Sequence, residues 1–510
     1  MNASTTDANE LHHAQQQFIQ KLYERNETTL PPEEILEQAR NDIVTRLPDD
    51  GAGTHKTLIN LDKLTKGFNN PILSSTYYGF VTGGVTPIAS VADTACSVYD
   101  QNVQVHLPKE TIATDIEYST LKMLCQLLHL PIDTFTHRTF TTGATASNVL
   151  GLACGREYVI SKAAERHSED VSVGRDGLIG AMRKSRLDDI QILTTVPHSS
   201  LAKAASIVGL GRECIQLVGK DDVPYKFDLT KLQKLLRRPK TASIVVISCG
   251  EVNTGYFATD FADMQQIRHL CDEAGAFIHC DGAFGLMARC LQRSDDASKR
   301  HLQLDKLLEG CEGIELVDSI TGDAHKLLNV PYDCGFFFSR RLHLATNVFR
   351  NAGAAYLNVA TSNDDSENIP SPLNIGIENS RRFRALPVYA SLVAYGRKGY
   401  AEMLLRQIRL AREIASCISK LKFLQLLPQE SSNNFERVYI VVLFRAKDDN
   451  LNKQLVQRIN RSRQIYVSGT SWDGAPAARI AISNWRVDVS TDAPRVENVL
   501  RDVYRSWMTE

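Results

Sequence analysis

Short runs rich in β-branched and aromatic residues alternate with stretches of helical periodicity between about Pro131 and Arg340. This alternation is typical of a mostly parallel sheet with helices on both faces, because parallel strands need long crossover connections. It predicts an α/β fold built on a mostly parallel seven-stranded sheet. The strands are expected at residues 138–142, 191–196, 215–218, 243–248, 276–281, 314–320 and 335–339.

The 510 residues exceed what one hydrophobic core usually supports, so more than one domain is expected. Residues 1–105 are interpreted as an N-terminal segment of helices and loops, and residues 106–378 as the large α/β domain. Residues 379–510 combine a long helical pattern with two strand patterns and a closing helix. They predict a smaller C-terminal α+β domain.

Charge and cysteine usage narrow the class of protein. Lys+Arg 58 against Asp+Glu 59 leaves a net charge of -1, which gives no reason to expect a nucleic-acid or membrane-surface partner. The longest apolar runs, such as Tyr439–Phe444, have strand length, and the N-terminus lacks an apolar secretion signal. The 11 cysteines include no CxxC, and the histidines have no metal-ligand spacing. A reduced, cytoplasmic protein without a metal site is expected.

The segment TTGATASN, residues 141–148, follows the first predicted strand of the sheet and opens a helix. Ligands of open α/β sheets bind outside the carboxyl ends of the strands. Small residues let the backbone approach a ligand, and exposed N–H groups at a helix N-terminus favour an anion such as phosphate. An ordinary helix cap has the same composition, so both interpretations stay open at this point.

Three other strand ends carry chemically active side chains. Asp281 ends an apolar strand, where a carboxylate needs a cationic or hydrogen-bonding partner, although it could simply cap the next loop. Lys326 follows a strand within a few residues and could be either a nucleophilic amine or an ordinary solvated lysine. His198 could stack on an aromatic ring or fill a core position. Together with the helix start, these residues match what pyridoxal phosphate requires.

The chain resembles the pyridoxal-phosphate-dependent group II amino-acid decarboxylases, which act on glutamate, aromatic amino acids and related substrates. The resemblance begins near Asn70, runs to the C-terminus, and is carried by a set of short motifs. They are GFVTGGVTP, TTGATASN, HSSLAKA, VNTG, HCDGAFG, DAHKLLNVPYDCG, NSRRFRALPVY and SGTSWDGAPAARIAISNW. The resemblance implies fold type I, the aspartate-aminotransferase type, and a homodimer with active sites at the subunit interface.

The resemblance also implies roles for matching residues. Lys326 would form the Schiff base with the cofactor, Asp281 would pair with its pyridinium nitrogen, and His198 would stack on its ring. The other implied cofactor contacts are Gly143, Thr145, Ala146 and Ser147 at the phosphate, Ala283 on the second ring face, Thr254 beside the ring, and His325 near the phosphate.

The resemblance also implies contacts to the substrate, for which alternatives stay open. Arg479 resembles an arginine that binds a substrate carboxylate in glutamate-type members, although a structural role stays open. Thr254 would also face the substrate, and Tyr78 with its aromatic neighbours could line an aromatic pocket. Tyr356 resembles a loop tyrosine that returns a proton to Cα.

The implied reaction is decarboxylation of an L-amino acid to its amine and CO2 through the Lys326 Schiff base and a quinonoid. Oxidative aldehyde formation, transamination, carbon–carbon bond formation or a non-catalytic protein of the same fold are the alternatives. Two departures from the family pattern stand out: Gly282 and Phe284 flank Ala283, where relatives often have Ala and Tyr or Trp, and Asp323 replaces an asparagine of some members near the phosphate.

Overall fold

The computed structural model describes residues 5–21, 23–24, 28–69, 74–291, 303–351, 369–428 and 435–510. The chain divides into two compact units. Unit one comprises Met1–Pro87, Arg406–Asn433 and Ile440–Glu510, and unit two comprises Ile88–Leu405 and Asn434–Tyr439. Unit one thus combines most of the predicted N-terminal segment with most of the predicted C-terminal domain, whereas the sequence interpretation separated them. The three-part division remains a prediction about domains.

Unit two contains a seven-stranded sheet and unit one a four-stranded sheet. The strands in chain order are β1 (His137–Thr141), β2 (Asp189–Thr194), β3 (Ile215–Leu217), β4 (Thr241–Ser248), β5 (Phe277–Asp281), β6 (Ser319–Asp323), β7 (Gly335–Ser339), β8 (Leu424–Leu427), β9 (Val441–Ala446), β10 (Ser468–Trp472) and β11 (Ala475–Ala481).

The helices are numbered in chain order as well. They are α1 (Thr5–Lys21), α2 (Glu33–Asn41), α3 (Gly53–Thr65), α4 (Pro87–Tyr99), α5 (Ala113–Leu127), α6 (Ala144–Glu165), α7 (Val173–Lys184), α8 (Ser199–Ile207), α9 (Leu229–Leu236), α10 (Phe261–Ala274), α11 (Asp305–Cys311), α12 (Ala324–Leu327), α13 (Leu342–Phe349), α14 (Ala385–Lys420), α15 (Asp449–Arg461) and α16 (Val489–Thr509). None of the described helices has the length and apolarity needed to cross a bilayer.

The large sheet has the strand order β1-β7-β6-β5-β4-β2-β3. Its strands from β6 to β3 pair in parallel, and β7 pairs antiparallel with both of its neighbours. The prediction of a mostly parallel seven-stranded sheet is confirmed. The strand expected at 314–320 begins only at Ser319, because Ile314–Leu316 form a 3-10 turn after Gly313, whose φ of +80° favours glycine.

Helix α6 packs very closely on the large sheet. A Cβ at Gly155 would lie 3.0 Å from Phe277 Cδ1, and a Cβ at Gly151 would lie 2.4 Å from His279 Cε1. Asn148 precedes Gly151 by three residues, so the two lie on one face of the helix. Because Gly151 and Gly155 have no side chains, the helix face that carries Asn148 can pack directly against β5.

The small sheet of unit one is antiparallel, with the order β10-β11-β9-β8. Apolar side chains of β9, β11 and the helix α15 are buried in this unit, among them Val442, Phe444, Ile480 and Leu455. Strands and helices thus contribute together to its core. This confirms the α+β character expected of the C-terminal part.

Candidate active site

The carboxyl ends of β5 and β6 meet at one edge of the large sheet, where Asp281 pairs in register with Thr321. β6 ends at Asp323, and the single turn α12 follows with His325 and Lys326. Gly335 of β7 allows the segment before α6 to reach the same edge, since a Cβ there would lie 2.6 Å from Gly143 Cα. The fold therefore assembles Lys326, Asp281 and the start of α6 from distant parts of the sequence.

Lys326 is held by a carboxylate three residues before it. Its Nζ lies 2.8 Å from Asp323 Oδ2, and the lysine side chain is 20% exposed whereas that of Asp323 is 3% exposed. Asp323 Oδ1 accepts the backbone N–H of Ala144, the first residue of α6, at 2.6 Å. One buried carboxylate thus binds both the amine and the helix N-terminus through charge-assisted hydrogen bonds.

His325 lies beside this pair. Its Nδ1 accepts the backbone N–H of Cys334 at 3.2 Å, and its ring centroid lies 4.4 Å from that of Tyr332. Burial lowers the pKa of His325, which favours the neutral ring. Because Nδ1 accepts a hydrogen bond, the proton of the neutral ring lies on Nε2. A Cβ at Gly143 would lie 3.2 Å from His325 Cε1, so glycine keeps the ring next to the helix start.

The first turn of α6 presents a helix N-terminus to this edge. Gly143, Thr145 and Ala146 are half-buried there. Ser147 is fully buried, and its hydroxyl donates to the carbonyl of Phe336 at 3.1 Å and lies 2.7 Å from Thr141 Oγ1. Its hydroxyl therefore bonds within the fold, and the polar character of the turn comes from its backbone and from Thr145.

Asp281 has only neutral hydrogen-bond donors as partners in the described structure. Asn148 Nδ2 donates to Oδ2 at 2.9 Å, and the backbone N–H of Ala283 donates to Oδ1 at 3.3 Å. Both partners are dipoles that stabilise the ionised carboxylate without neutralising its charge. The half-buried Asp281 can therefore pair with a cation placed at the site, such as a protonated ring nitrogen.

His198 is the N-cap of α8 and is exposed, so its ring can contact a ligand. Its Nδ1 accepts the backbone N–H of Ser200 at 3.2 Å and lies 2.8 Å from Ser200 Oγ. Ser200 Oγ in turn lies 3.2 Å from Asn148 Nδ2. Hydrogen bonds therefore connect His198 to Asp281 through two intervening side chains.

Thr254 is 2% exposed, and its hydroxyl donates to Glu251 Oε2 at 2.8 Å. Glu251 Oε2 also accepts the backbone N–H of Thr254 at 2.8 Å. Both interactions order the loop that follows β4. Cys249, the first residue of that loop, bonds through its backbone N–H to the carbonyl of Asp281 at 2.9 Å, which connects the loop to the end of β5.

The remaining sequence-predicted residues lie elsewhere in the chain. Arg479 is 6% exposed on β11 of unit one, in register with Ser468 and Leu443. Tyr78 also belongs to unit one and is fully buried, and burial raises the pKa of its hydroxyl well above the ordinary value. Tyr356 lies outside the described residues.

Within unit two, the donor set fits pyridoxal phosphate. Lys326 offers an amine, Asp281 a carboxylate for the ring nitrogen, His198 a ring to stack on, and the first turn of α6 with His325 a phosphate site. The Asp323 carboxylate accepts the first N–H of α6, so a phosphate bound at this helix start would meet a negative charge. The site therefore fits the cofactor and contains one group that opposes its phosphate.

The sequence patterns assigned no role to Asn148, Ser200 or His279, although all three lie within the motifs that carry the resemblance. His279 Nε2 lies 2.9 Å from Asn148 Oδ1, so the histidine belongs to the same hydrogen-bond network as Asp281. One signal was available, because His279 and Asp281 are two residues apart on one strand and so share a face. An asparagine in the apolar first turns of α6 was the second signal.

Residues 80–447 match the family model described as the pyridoxal-dependent decarboxylase conserved domain. The L-2,4-diaminobutyrate decarboxylase of Acinetobacter baumannii is 27% identical over 329 residues, which cover 63% of this chain and 58% of that protein. The aromatic-L-amino-acid decarboxylase of Bacillus atrophaeus is 22% identical over 460 residues, which cover 88% of this chain and 85% of that protein.

A solved structure is similar in fold to this chain. The crystal structure of Oryza sativa TDC with PLP and tryptamine superposes with a TM-score of 0.79 at 19% identity and covers 100% of this chain and 99% of that one. The expected fold type I architecture is confirmed.

Proposed function

Because the chain belongs to the family of pyridoxal-dependent decarboxylases, we propose that it removes the α-carboxylate of an L-amino acid as CO2 and releases the amine. Membership of the family makes pyridoxal phosphate the cofactor and a carboxy-lyase the class of enzyme. The observation that carries the proposal is the placement of Lys326 and Asp281 at the ends of neighbouring strands, with the start of α6 and His325 beside the lysine.

Bound pyridoxal phosphate supplies a ring that accepts the electrons left when CO2 departs. The chain's own residues prepare that chemistry. Lys326 provides the amine for covalent attachment, and the ionised Asp281 holds a proton on the ring nitrogen, which keeps the ring electron-deficient. His198 packs on the ring, while the first turn of α6 and His325 hold the phosphate. Tyr356 is proposed to return the proton to Cα.

The substrate contacts are part of the proposal. Arg479 is proposed to bind a substrate carboxylate, because its guanidinium can form two parallel hydrogen bonds to that group. Thr254 and Tyr78 are proposed to flank the substrate. A substrate with an acidic side chain would favour the contact with Arg479, whereas a substrate with an aromatic side chain would favour the contact with Tyr78.

We also propose that the protein is a cytoplasmic homodimer with its active sites at the subunit interface. The family resemblance supports the dimer. The 11 free thiols, most of them buried, support a reducing compartment. Sedimentation of the full chain with pyridoxal phosphate is expected to give one species of twice the 56.8 kDa chain mass.

The activity is tested by adding pyridoxal phosphate and a panel of L-amino acids and measuring CO2, amine, aldehyde, ammonia and peroxide. One equivalent of amine for each CO2 supports the proposal. Aldehyde with ammonia and peroxide would instead show the oxidative alternative. A wild-type protein that gains no visible absorption band with pyridoxal phosphate would refute the whole scheme.

A further inference from the structure

A buried polar cluster lies behind Asp281 and is formed by α6, the start of α8 and the strands β5 and β6. We call it the Asn148 cluster, and it consists of Asn148, Ser200, His279, Ser319 and Thr321. Asn148, His279, Ser319 and Thr321 are at most 1% exposed, and Ser200 is 5% exposed. Because the cluster is shielded from solvent, each donor needs an acceptor and each acceptor needs a donor within the protein. The distances therefore constrain which atoms carry protons.

The orientation of the Asn148 amide follows from its neighbours. An ionised Asp281 only accepts hydrogen bonds, so the atom 2.9 Å from its Oδ2 must be the donor Nδ2. The second Nδ2 proton points to Ser200 Oγ at 3.2 Å. Asn148 Oδ1 then faces His279 Nε2 at 2.9 Å, and all donors and acceptors of the amide are in use.

The tautomer of His279 follows next. Asn148 Oδ1 can only accept, so His279 Nε2 must carry a proton, which Thr321 Oγ1 at 3.3 Å can share. Burial lowers the pKa of His279 to about 4, so the ring is neutral near pH 7 and Nδ1 is an acceptor. Ser319 Oγ, 2.7 Å from Nδ1, is therefore the donor of that hydrogen bond.

Ser200 connects the cluster to the exposed His198. Ser200 Oγ accepts from Asn148, so its own proton points to His198 Nδ1 at 2.8 Å. The backbone N–H of Ser200 also donates to that nitrogen, at 3.2 Å. His198 Nδ1 is thus an acceptor of two hydrogen bonds, and the proton of the neutral ring is on Nε2.

We propose that Asn148 is a positioning residue, whose amide fixes which groups donate and which accept in the hydrogen bonds that link His279, Asp281 and His198. In this arrangement Asp281 is ionised and His279 is protonated on Nε2. His198 accepts hydrogen bonds at Nδ1. Asn148 acts through Asp281, which it orients towards the ring nitrogen of pyridoxal phosphate. The catalytic part of this inference rests on the proposed function, whereas the hydrogen-bond arrangement rests on the distances together with an ionised Asp281 and a neutral His279.

With His279 neutral, the reversed arrangement is the one alternative that leaves no clash between like groups along Asp281, Asn148 and His279. In it, Asp281 carries a proton, the Asn148 amide is turned over, and His279 is protonated on Nδ1 only. A protonated Asp281 could not stabilise a cationic ring nitrogen. The two arrangements therefore predict opposite tautomers for one buried histidine and opposite competence of the carboxylate.

The first experiment reads the tautomer without using activity. Long-range nitrogen–proton NMR correlations of the full chain with labelled histidine, near pH 7, are expected to show His279 protonated on Nε2. The spectrum of His279→Gln identifies the signal. A ring protonated on Nδ1, or on both nitrogens, overturns the proposal.

The second experiment compares two replacements of Asn148 by titration with pyridoxal phosphate, followed by visible absorbance. Asn148→Leu removes the hydrogen bonds and is expected to weaken binding roughly tenfold, which equals about 1.4 kcal/mol. Asn148→Asp keeps the shape but sets a second acceptor against Asp281, so it is expected to bind more weakly than the leucine variant. Binding by the aspartate variant as tight as that of the wild type would contradict the proposal.

Asn452→Leu is the matched control. Asn452 is a buried helical asparagine of α15 whose amide bonds to the backbone of Ala446 and Pro476, at 3.1 and 2.9 Å. Its replacement is expected to reduce stability while leaving cofactor affinity within about twofold of wild type. A wild type that binds no cofactor refutes the proposed function, and the tautomer measurement then still judges the hydrogen-bond arrangement. An Nδ1 tautomer in a protein that binds cofactor refutes only the present inference.

Discussion

Asp281 and Asp323 end neighbouring strands of one sheet, and their surroundings are opposite in kind. Asp323 has a cation within hydrogen-bond distance, Lys326 at 2.8 Å, and it also binds a helix N-terminus. Asp281 receives hydrogen bonds from an amide side chain and a backbone N–H, both without charge. The charge of Asp323 is therefore neutralised by a cation, whereas the charge of Asp281 is stabilised only by neutral hydrogen-bond donors.

This difference suits Asp281 and Asp323 to different roles in the proposed site. A carboxylate that is stabilised by dipoles keeps its full negative charge for a ligand, so Asp281 is suited to a cationic ring nitrogen. A carboxylate that is already paired contributes no such attraction. With the phosphate bound at the start of α6, as proposed, Asp323 would compete with the cofactor for the helix N-terminus and for the amine. Removing each charge in turn is expected to have opposite effects on cofactor binding.

Lys326→Ala is expected to have the largest effect, because it removes the amine that attaches the cofactor and the only cation bonded to Asp323 among the described residues. Decarboxylation is expected to fall at least about 1,000-fold, and the visible band of lysine-bound cofactor to disappear. Lys306→Ala is the control, since Lys306 is half exposed and pairs with Glu309 on α11. Retention of covalent cofactor by Lys326→Ala would show that another amine carries it.

Asp281→Asn is expected to have the next largest effect. The amide keeps the shape of the carboxylate but cannot balance a protonated ring nitrogen, so kcat should fall by about two to three orders of magnitude. Covalent attachment to Lys326 should persist, since the amine is untouched. A rate close to that of wild type would mean that Asp281 only caps the loop before Ala283.

Asp323→Asn is expected to act in the opposite direction on cofactor affinity. The neutral side chain no longer repels the phosphate, so pyridoxal phosphate should bind roughly three- to tenfold more tightly in an absorbance titration. Asp333→Asn provides the comparison, because Asp333 pairs with Arg384 and is 46% exposed in its side chain. Weaker binding in Asp323→Asn would show that the carboxylate positions Lys326 more than it opposes the phosphate.

The contrast between the two carboxylates was only half predictable from the sequence. Alternation of strands and helices was sufficient to predict the large sheet and to place Asp281, Lys326 and the start of α6 at one edge, because parallel strands must end together. The partners were not predictable. Asn148 reaches Asp281 because Gly151 lets α6 approach β5, and such packing depends on three-dimensional distances that periodicity does not contain.

The pairing of Asp323 with Lys326 depends on a strand boundary. The sequence pattern predicted the sixth strand at 314–320, whereas β6 continues to Asp323 and points its carboxylate to the helix start and to α12. An aspartate in the expected loop would have been solvated. Two or three residues at the end of a strand therefore decide whether this charge is buried and paired.

The last prediction concerns stability instead of activity, and it tests the neutral side of the contrast through His279 of the Asn148 cluster, with the buried His137 for comparison. Burial lowers the pKa of both His279 and His137 to about 4. Between about pH 4 and 6.5 the unfolded chain binds more protons at these rings than the folded chain does. The free energy of unfolding is thus expected to decrease as pH falls through this window, by at most about 1.4 kcal/mol per pH unit for each ring.

His279→Gln and His137→Gln should each flatten that decrease by about one proton in urea unfolding measured at several pH values. A slope that His137→Gln reduces but His279→Gln does not would mean that His279 is charged in the folded protein. Asn148 would then accept from a cation, and the ring beneath Asp281 would balance part of its charge. Asp281 would then resemble Asp323, as a carboxylate whose charge is partly balanced by a neighbouring cation.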